Sequence, residues 1–135
     1  MPCRVFIADD VEALRVLWRQ LLTEGGEIEV VGEAPDGEAA IAGVLETRPE
    51  VLVLDLSMPR VDGLEVIRAL RKQAPEVKIV VASGFSQSRL APLAQELGAF
   101  AYFEKGGPVD ALRAAVMDAC EASHRIDEFL PSTDG

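Results

Sequence analysis

Short apolar runs alternate along the chain with longer stretches of helical period. Cys3–Ala8 (CRVFIA) reads as a strand closed by the acidic pair Asp9-Asp10. Beyond it Val11, Leu14, Leu17, Trp18, Leu21 and Leu22 recur on one helical stripe, which Gly25-Gly26 ends. Trp18 on that stripe reads as core. Residues 28–32 form a second apolar segment, followed by the turn Ala34-Pro35-Asp36-Gly37. Asp36 is placed to cap a helix over Gly37–Thr47, with Ala40, Ile41, Val44 and Leu45 inward.

Val51-Leu52-Val53-Leu54 then runs straight into Asp55, the pattern of a strand buried on both faces. Pro59 cannot continue a ladder and Asp62-Gly63 signals a turn, so a loop follows at once. Leu64, Val66, Ile67 and Leu70 predict a third helix. Its last turn carries Arg68, Arg71 and Lys72, which suit the negative end of a helix dipole. Residues 77–82 (VKIVVA) predict a fourth strand, ended by Ser83-Gly84. Pro92 belongs in the first turn of a helix, so the spacing predicts a long loop over 83–88 and a late helix carrying Leu90, Leu93, Ala94 and Leu97. Residues 100–103 form a last strand leading to Lys105. Pro108 opens a final helix with Val109, Leu112, Val116, Ala119 and Cys120 on one stripe. One domain is expected over residues 1–123, with 124–135 a frayed tail.

The alternation is (βα)5 with short connections. It implies a doubly wound parallel sheet covered by helices on both faces, joined by right-handed crossovers. With 135 residues, 49% of them hydrophobic and 27% charged, the chain is long enough to bury a core without staples. The net charge of −10 argues against nucleic acid as a direct ligand, because phosphate contacts need clustered Lys and Arg. The two cysteines, Cys3 and Cys120, lie at opposite ends without metal spacing, and His124 is the single histidine, so a zinc site is not expected. No signal-peptide core or membrane-length apolar run is present, and a cytoplasmic protein that does not bind a membrane is expected.

Four strands end in polar groups: Asp9-Asp10, Asp55, Ser83 and Lys105. A parallel sheet brings these ends to one edge, with three carboxylates at the switch point between the first and third strands. Two like charges about 4 Å apart cost roughly 4 kcal/mol at an effective dielectric near 20. Such a cluster calls for a counter-ion, and an oxygen-lined site is what Mg²⁺ prefers. Together with Lys105 and the Ser83 hydroxyl, a cation there would clamp a phosphoryl group passing to Asp55 as nucleophile.

In Asp9-Asp10, the Asp55-Leu-Ser-Met-Pro loop with Asp62-Gly63, Ser83-Gly84, and the run from Gly98 to Lys105, the chain resembles the receiver domains of two-component response regulators, including chemotaxis receivers. The resemblance covers residues 3–122. It implies a flavodoxin-like fold, three layers α/β/α, with strand order 2-1-3-4-5. Asp55 is then the phospho-acceptor, served by a histidine kinase or phosphotransfer protein. Asp10, Asp55 and the backbone carbonyl of Ser57 would hold Mg²⁺ (or Mn²⁺), with Asp9 reaching it largely through water. Lys105 would pair with the phosphoryl oxygens. Ser83 and Tyr102 form the switch pair, and output to another protein or to a second copy runs through the fourth helix, fifth strand and fifth helix, where Phe100 is a candidate contact. Ser57 and Phe85 occupy the positions that tune dephosphorylation. The chain is then no enzyme beyond its own phosphoryl transfer and slow autodephosphorylation. Gly106-Gly107 follow the lysine where many receivers have proline, as in one large transcription-factor subfamily. The resemblance fits a stand-alone receiver or a piece of a longer regulator.

Other readings fare worse on particular residues. A haloacid-dehalogenase-type hydrolase needs a second Asp where Ser57 stands, and a flavin carrier needs a phosphate loop where Asp9-Asp10 would repel one. A non-phosphorylated pseudo-receiver, acting only as an interaction module, conflicts with the complete acidic set.

Overall fold

The aliphatic residues before Asp55 form the middle of a five-stranded parallel sheet. In the computed structural model, residues 1–84 and 89–129 are described. The strands are β1 (Cys3–Ala8), β2 (Ile28–Ala34), β3 (Val51–Leu54), β4 (Lys78–Ser83) and β5 (Ala101–Glu104), ordered β2-β1-β3-β4-β5. The helices are α1 (Glu12–Thr23), α2 (Gly37–Thr47), α3 (Gly63–Gln73), α4 (Ala91–Glu96) and α5 (Val109–Phe129). This is the flavodoxin-like architecture with the order 2-1-3-4-5.

Period-two alternation sorts the central strands between two cores. Val5, Ile7, Val51, Val53, Val80 and Ala82 face α1 and α5, where they meet Trp18, Leu22, Leu112 and Val116. Phe6, Ala8, Leu52, Leu54, Ile79 and Val81 face α2, α3 and α4, where they meet Val44, Val66, Ile67, Leu70 and Ala94. Both faces of β3 are apolar because both are covered, so its four residues read as an unbroken run.

The predicted caps are in place. Asp36 accepts from the Ala39 N–H at 2.8 Å and Asp62 from the Glu65 N–H at 3.0 Å. Pro92 lies in the first turn of α4, as the spacing requires. The predicted loop over 83–88 lies partly outside the described residues, since 85–88 are not among them.

Three expectations need correction. The α1 stripe is wider than the surface it buries: Trp18 and Leu22 are buried, whereas Val11 and Leu17 are exposed. The sheet leaves α1 an apolar flank toward solvent, and helical period alone does not separate the two sides. The last strand begins at Ala101, which leaves Phe100 in the preceding turn and exposed. The last helix extends past 124; α5 runs through Phe129. His124, placed in the expected tail, lies on this helix with its Nε2 2.6 Å from Glu50 Oε1.

A feature without any sequence signal joins the two ends of the fold. Cys3 on β1 and Cys120 on α5 are 117 residues apart, yet they form a disulfide with a Cα separation of 6.0 Å.

Candidate functional site

Sheet hydrogen bonding runs one residue past the strand ends, and it fixes the site's backbone. The Asp9 N–H bonds the Ala34 carbonyl at 3.0 Å, the Asp55 N–H the Ala8 carbonyl at 2.9 Å, and the Lys105 N–H the Ser83 carbonyl at 2.8 Å. Asp9, Asp55 and Lys105 are thus the first residues beyond β1, β3 and β5, held in register with neighbouring strands. Asp10 follows on the outer side and is exposed, while Asp9 and Asp55 are buried.

One carboxylate oxygen from each of Asp9, Asp10 and Asp55 falls within 4.8 Å of the others. Lys105 reaches across the cluster, its Nζ 2.7 Å from Asp9 Oδ2 and 3.4 Å from Asp55 Oδ1. Asp55 Oδ1 also accepts from the Ser57 N–H at 3.1 Å, and Asp9 Oδ1 from the Val11 N–H at 2.8 Å. Burial pushes the Asp55 carboxyl above its ordinary value; the Ser57 N–H and the Lys105 charge pull it back, and Asp9 pushes it up again. The lysine therefore offsets only part of the cost of keeping two buried carboxylates and an exposed third together.

The loop after Asp55 is held close by two glycines. A Cβ on Gly63 would lie 2.5 Å from Leu56 Cα and 2.9 Å from the Asp55 carbonyl oxygen, so only glycine lets α3 begin against the loop that follows Asp55. A Cβ on Gly37 would fall 1.8 Å from the Val61 carbonyl oxygen on the loop's other side. Ser57, at the loop's outer edge, is exposed.

Ser83 ends β4 and is buried. Tyr102 pairs with Val81 across the β4–β5 ladder and its ring packs against the α2–α4 core. The Tyr102 hydroxyl is buried without a hydrogen-bond partner among the described residues, so the ring lies inward here. Phe85 lies outside the described residues.

Two contributors escaped the sequence reading. Trp18 turns its ring toward Lys105, whose Nζ is 5.6 Å from the ring centroid, within the range of a cation–π contact. Arg15 donates from Nη1 to the Asp9 carbonyl and from Nε to Glu33 at 3.2 Å, tying the acidic turn to β2. Both lie on α1, where helical period marked Trp18 as core and gave Arg15 no role at all.

Known proteins share this fold. The family model for the response regulator receiver domain matches residues 5–117. The chemotaxis protein CheY of Thermotoga maritima is 33% identical over 99 residues, covering 73% of this chain and 82% of that protein. A protein-glutamate methylesterase/protein-glutamine glutaminase of Myxococcus xanthus is 44% identical over 99 residues, covering 73% of this chain but 28% of that protein. The chain spans about a third of the length of the methylesterases it matches. Among solved structures, the REC domain of AraT, a response regulator from Geobacillus stearothermophilus, superposes with a TM-score of 0.86 at 33% identity, covering 94% of this chain and 99% of that one. The chain belongs to the response-regulator receiver domain family of two-component systems. No helix among the described residues is long and apolar enough to cross a membrane.

Proposed function

We propose that the chain accepts a phosphoryl group on Asp55 from a phosphohistidine donor, in a reaction that needs a divalent cation, and that this switches the face built by α4, β5 and α5. The observation that carries the reading is the convergence of Asp9, Asp10, Asp55 and Lys105 at one edge of the sheet. Three carboxylates form an all-oxygen donor set of the kind Mg²⁺ or Mn²⁺ takes. Asp9, Asp10, Asp55 and the Ser57 carbonyl would hold the ion, which would supply positive charge beside the incoming phosphoryl oxygens.

The chain's own residues do the rest. The Ser57 N–H and Lys105 fix the Asp55 carboxylate, so little ordering remains to be done when a donor arrives. Lys105 neutralises charge on the transferred group, leaving its contact with Asp9 or sharing it. Ser83, on the neighbouring strand end, hydrogen-bonds a phosphoryl oxygen, and the partly buried Tyr102 ring, its hydroxyl buried, turns inward behind it.

The donor's landing place is the apolar rim along α1. Val11 and Leu17 are exposed, and Leu14, Leu17, Trp18 and Leu21 line a groove whose floor includes Lys105. A helix carrying phosphohistidine against this rim would sit beside the acceptor. On the output side, exposed Phe100 borders Tyr102's strand and is the candidate contact for an output protein or a second copy. Ser57 carries no amide to orient a water, and Phe85 is bulky and apolar, so the phosphorylated state is expected to be long-lived. A cytoplasmic setting, where such donors act, follows from the same reading.

The test is intact-mass analysis after incubation with acetyl phosphate and Mg²⁺. Wild type should gain one phosphoryl mass, with none in chelator and none in Asp55→Asn. A pseudo-receiver would gain nothing in any arm.

A further inference from the structure

The cysteine pair lies outside the phosphoryl site, and neither the family fold nor the proposed reaction needs it. We propose that Cys3 and Cys120 form a reversible oxidation site, a thiol–disulfide staple that fastens the distal turns of α5 to the first strand. The chemistry is exchange with a low-molecular-weight disulfide. The two thiols give up two protons and two electrons, one S–S bond forms in the protein, and the reagent leaves as two thiols. A small dithiol runs the exchange backwards.

Three observations carry this. The two Cα atoms are 6.0 Å apart, within the range a disulfide spans without moving the backbone, so the site is built in the folded chain. Among the described side chains of the distal half of α5, Met117 packs partly buried against the core. After Leu112 and Val116, the buried residues among those described are the small Ala119 and Cys120. One turn further, His124 Nε2 lies 2.6 Å from Glu50 Oε1, at the edge of the sheet where Glu50 also accepts from the Arg4 N–H at 3.0 Å. Finally, both cysteines are buried at 3% exposure. Reagents therefore reach the sulfurs when the end of α5 lifts, which ties the redox state to the docking of that helix.

The bond closes 117 residues of chain, so opening it acts on stability through the unfolded state as well as through the helix. It gives the module an input separate from phosphorylation, read out on α5.

The test uses the full chain, equilibrated in glutathione buffers from reducing to oxidising and then trapped with an alkylating agent in denaturant. The expected result is a titration between two alkylated thiols and none, with the protein monomeric on non-reducing gels. Oxidised protein should melt roughly 5–15 °C above reduced protein. Amide exchange should rise on reduction in residues 117–129 and stay unchanged in α3. Cys120→Ala should match the reduced protein and ignore the buffer, and Cys3→Ala, an independent variant, should do the same. Two free thiols at every buffer ratio would overturn the site. Equal melting and equal exchange of the oxidised and reduced forms would overturn the staple.

Discussion

The ammonium of Lys105 stands 5.6 Å from the centre of the Trp18 ring. The same nitrogen is 2.7 Å from Asp9, so the lysine is held between an aromatic face and a carboxylate. Trp18 is the single tryptophan of the chain and is buried, which makes its fluorescence a local reporter of the lysine. When Lys105 turns toward a phosphoryl group on Asp55, Trp18 emission should change in intensity. Acetyl phosphate with Mg²⁺ should produce the change in wild type. An equal change in Asp55→Asn would show that the probe senses something other than phosphorylation.

The carboxylate cluster should cost stability in the absence of metal. Asp10→Asn removes one charge with little change of shape, and Asp10 is the exposed member, so screening keeps the gain to about 0.5–1.5 kcal/mol. Mg²⁺ at 100 times its dissociation constant should stabilise wild type by about 2.7 kcal/mol and the variant by much less. Denaturant melts of both proteins in Mg²⁺ and in chelator measure these terms. A variant less stable than wild type in chelator would mean the carboxylates do not repel.

Asp55 predicts a pH dependence with a definite sign. Its folded-state value is raised, chiefly by burial, above the roughly 3.9 of an unfolded aspartate. The proton is therefore bound more tightly in the folded chain, and stability from this group is present below about pH 4 and lost as pH rises through the raised folded value. In chelator, the advantage of Asp55→Asn over wild type should thus be greatest near neutral pH and shrink on acidification. Melts across that range check it; an advantage that grows toward pH 4 would reverse the sign of the argument.

Gly63 predicts a structural cost at the loop after Asp55. An alanine methyl would stand 2.5 Å from Leu56 Cα, so either the loop or the start of α3 must move. Gly63→Ala should destabilise the fold by about 1–3 kcal/mol and slow phosphorylation as well, because the same movement shifts Asp55. Melting and initial rates with acetyl phosphate give both numbers. Unchanged rates in a destabilised variant would show that the loop tolerates the shift.

How much of this was legible beforehand depends on where the information sits in the chain. Asp55 could be read because an apolar run stops at it, and Asp9-Asp10 and Lys105 because each follows a strand that a parallel sheet aligns at one edge. The caps Asp36 and Asp62 could be read because a cap bonds within three residues. The Cys3–Cys120 bond could not, since it joins residues 117 positions apart that neither period nor spacing relates. Trp18 lay on an apolar stripe whose period shows that it is inward but not that Lys105 is its neighbour. The turn of α5 at His124 carries no apolar signal, and the contact that ties it, His124 with Glu50, joins residues far apart in the chain.

The central claim is that Asp55, of the three clustered carboxylates, receives the phosphoryl group. The most direct measurement is reduction of the phosphorylated protein with borohydride, which converts an aspartyl phosphate to homoserine, followed by peptide mass sequencing. The account predicts homoserine at position 55, formed only when Mg²⁺ was present. Homoserine at Asp9 or Asp10 instead, with Asp55 intact, would contradict it.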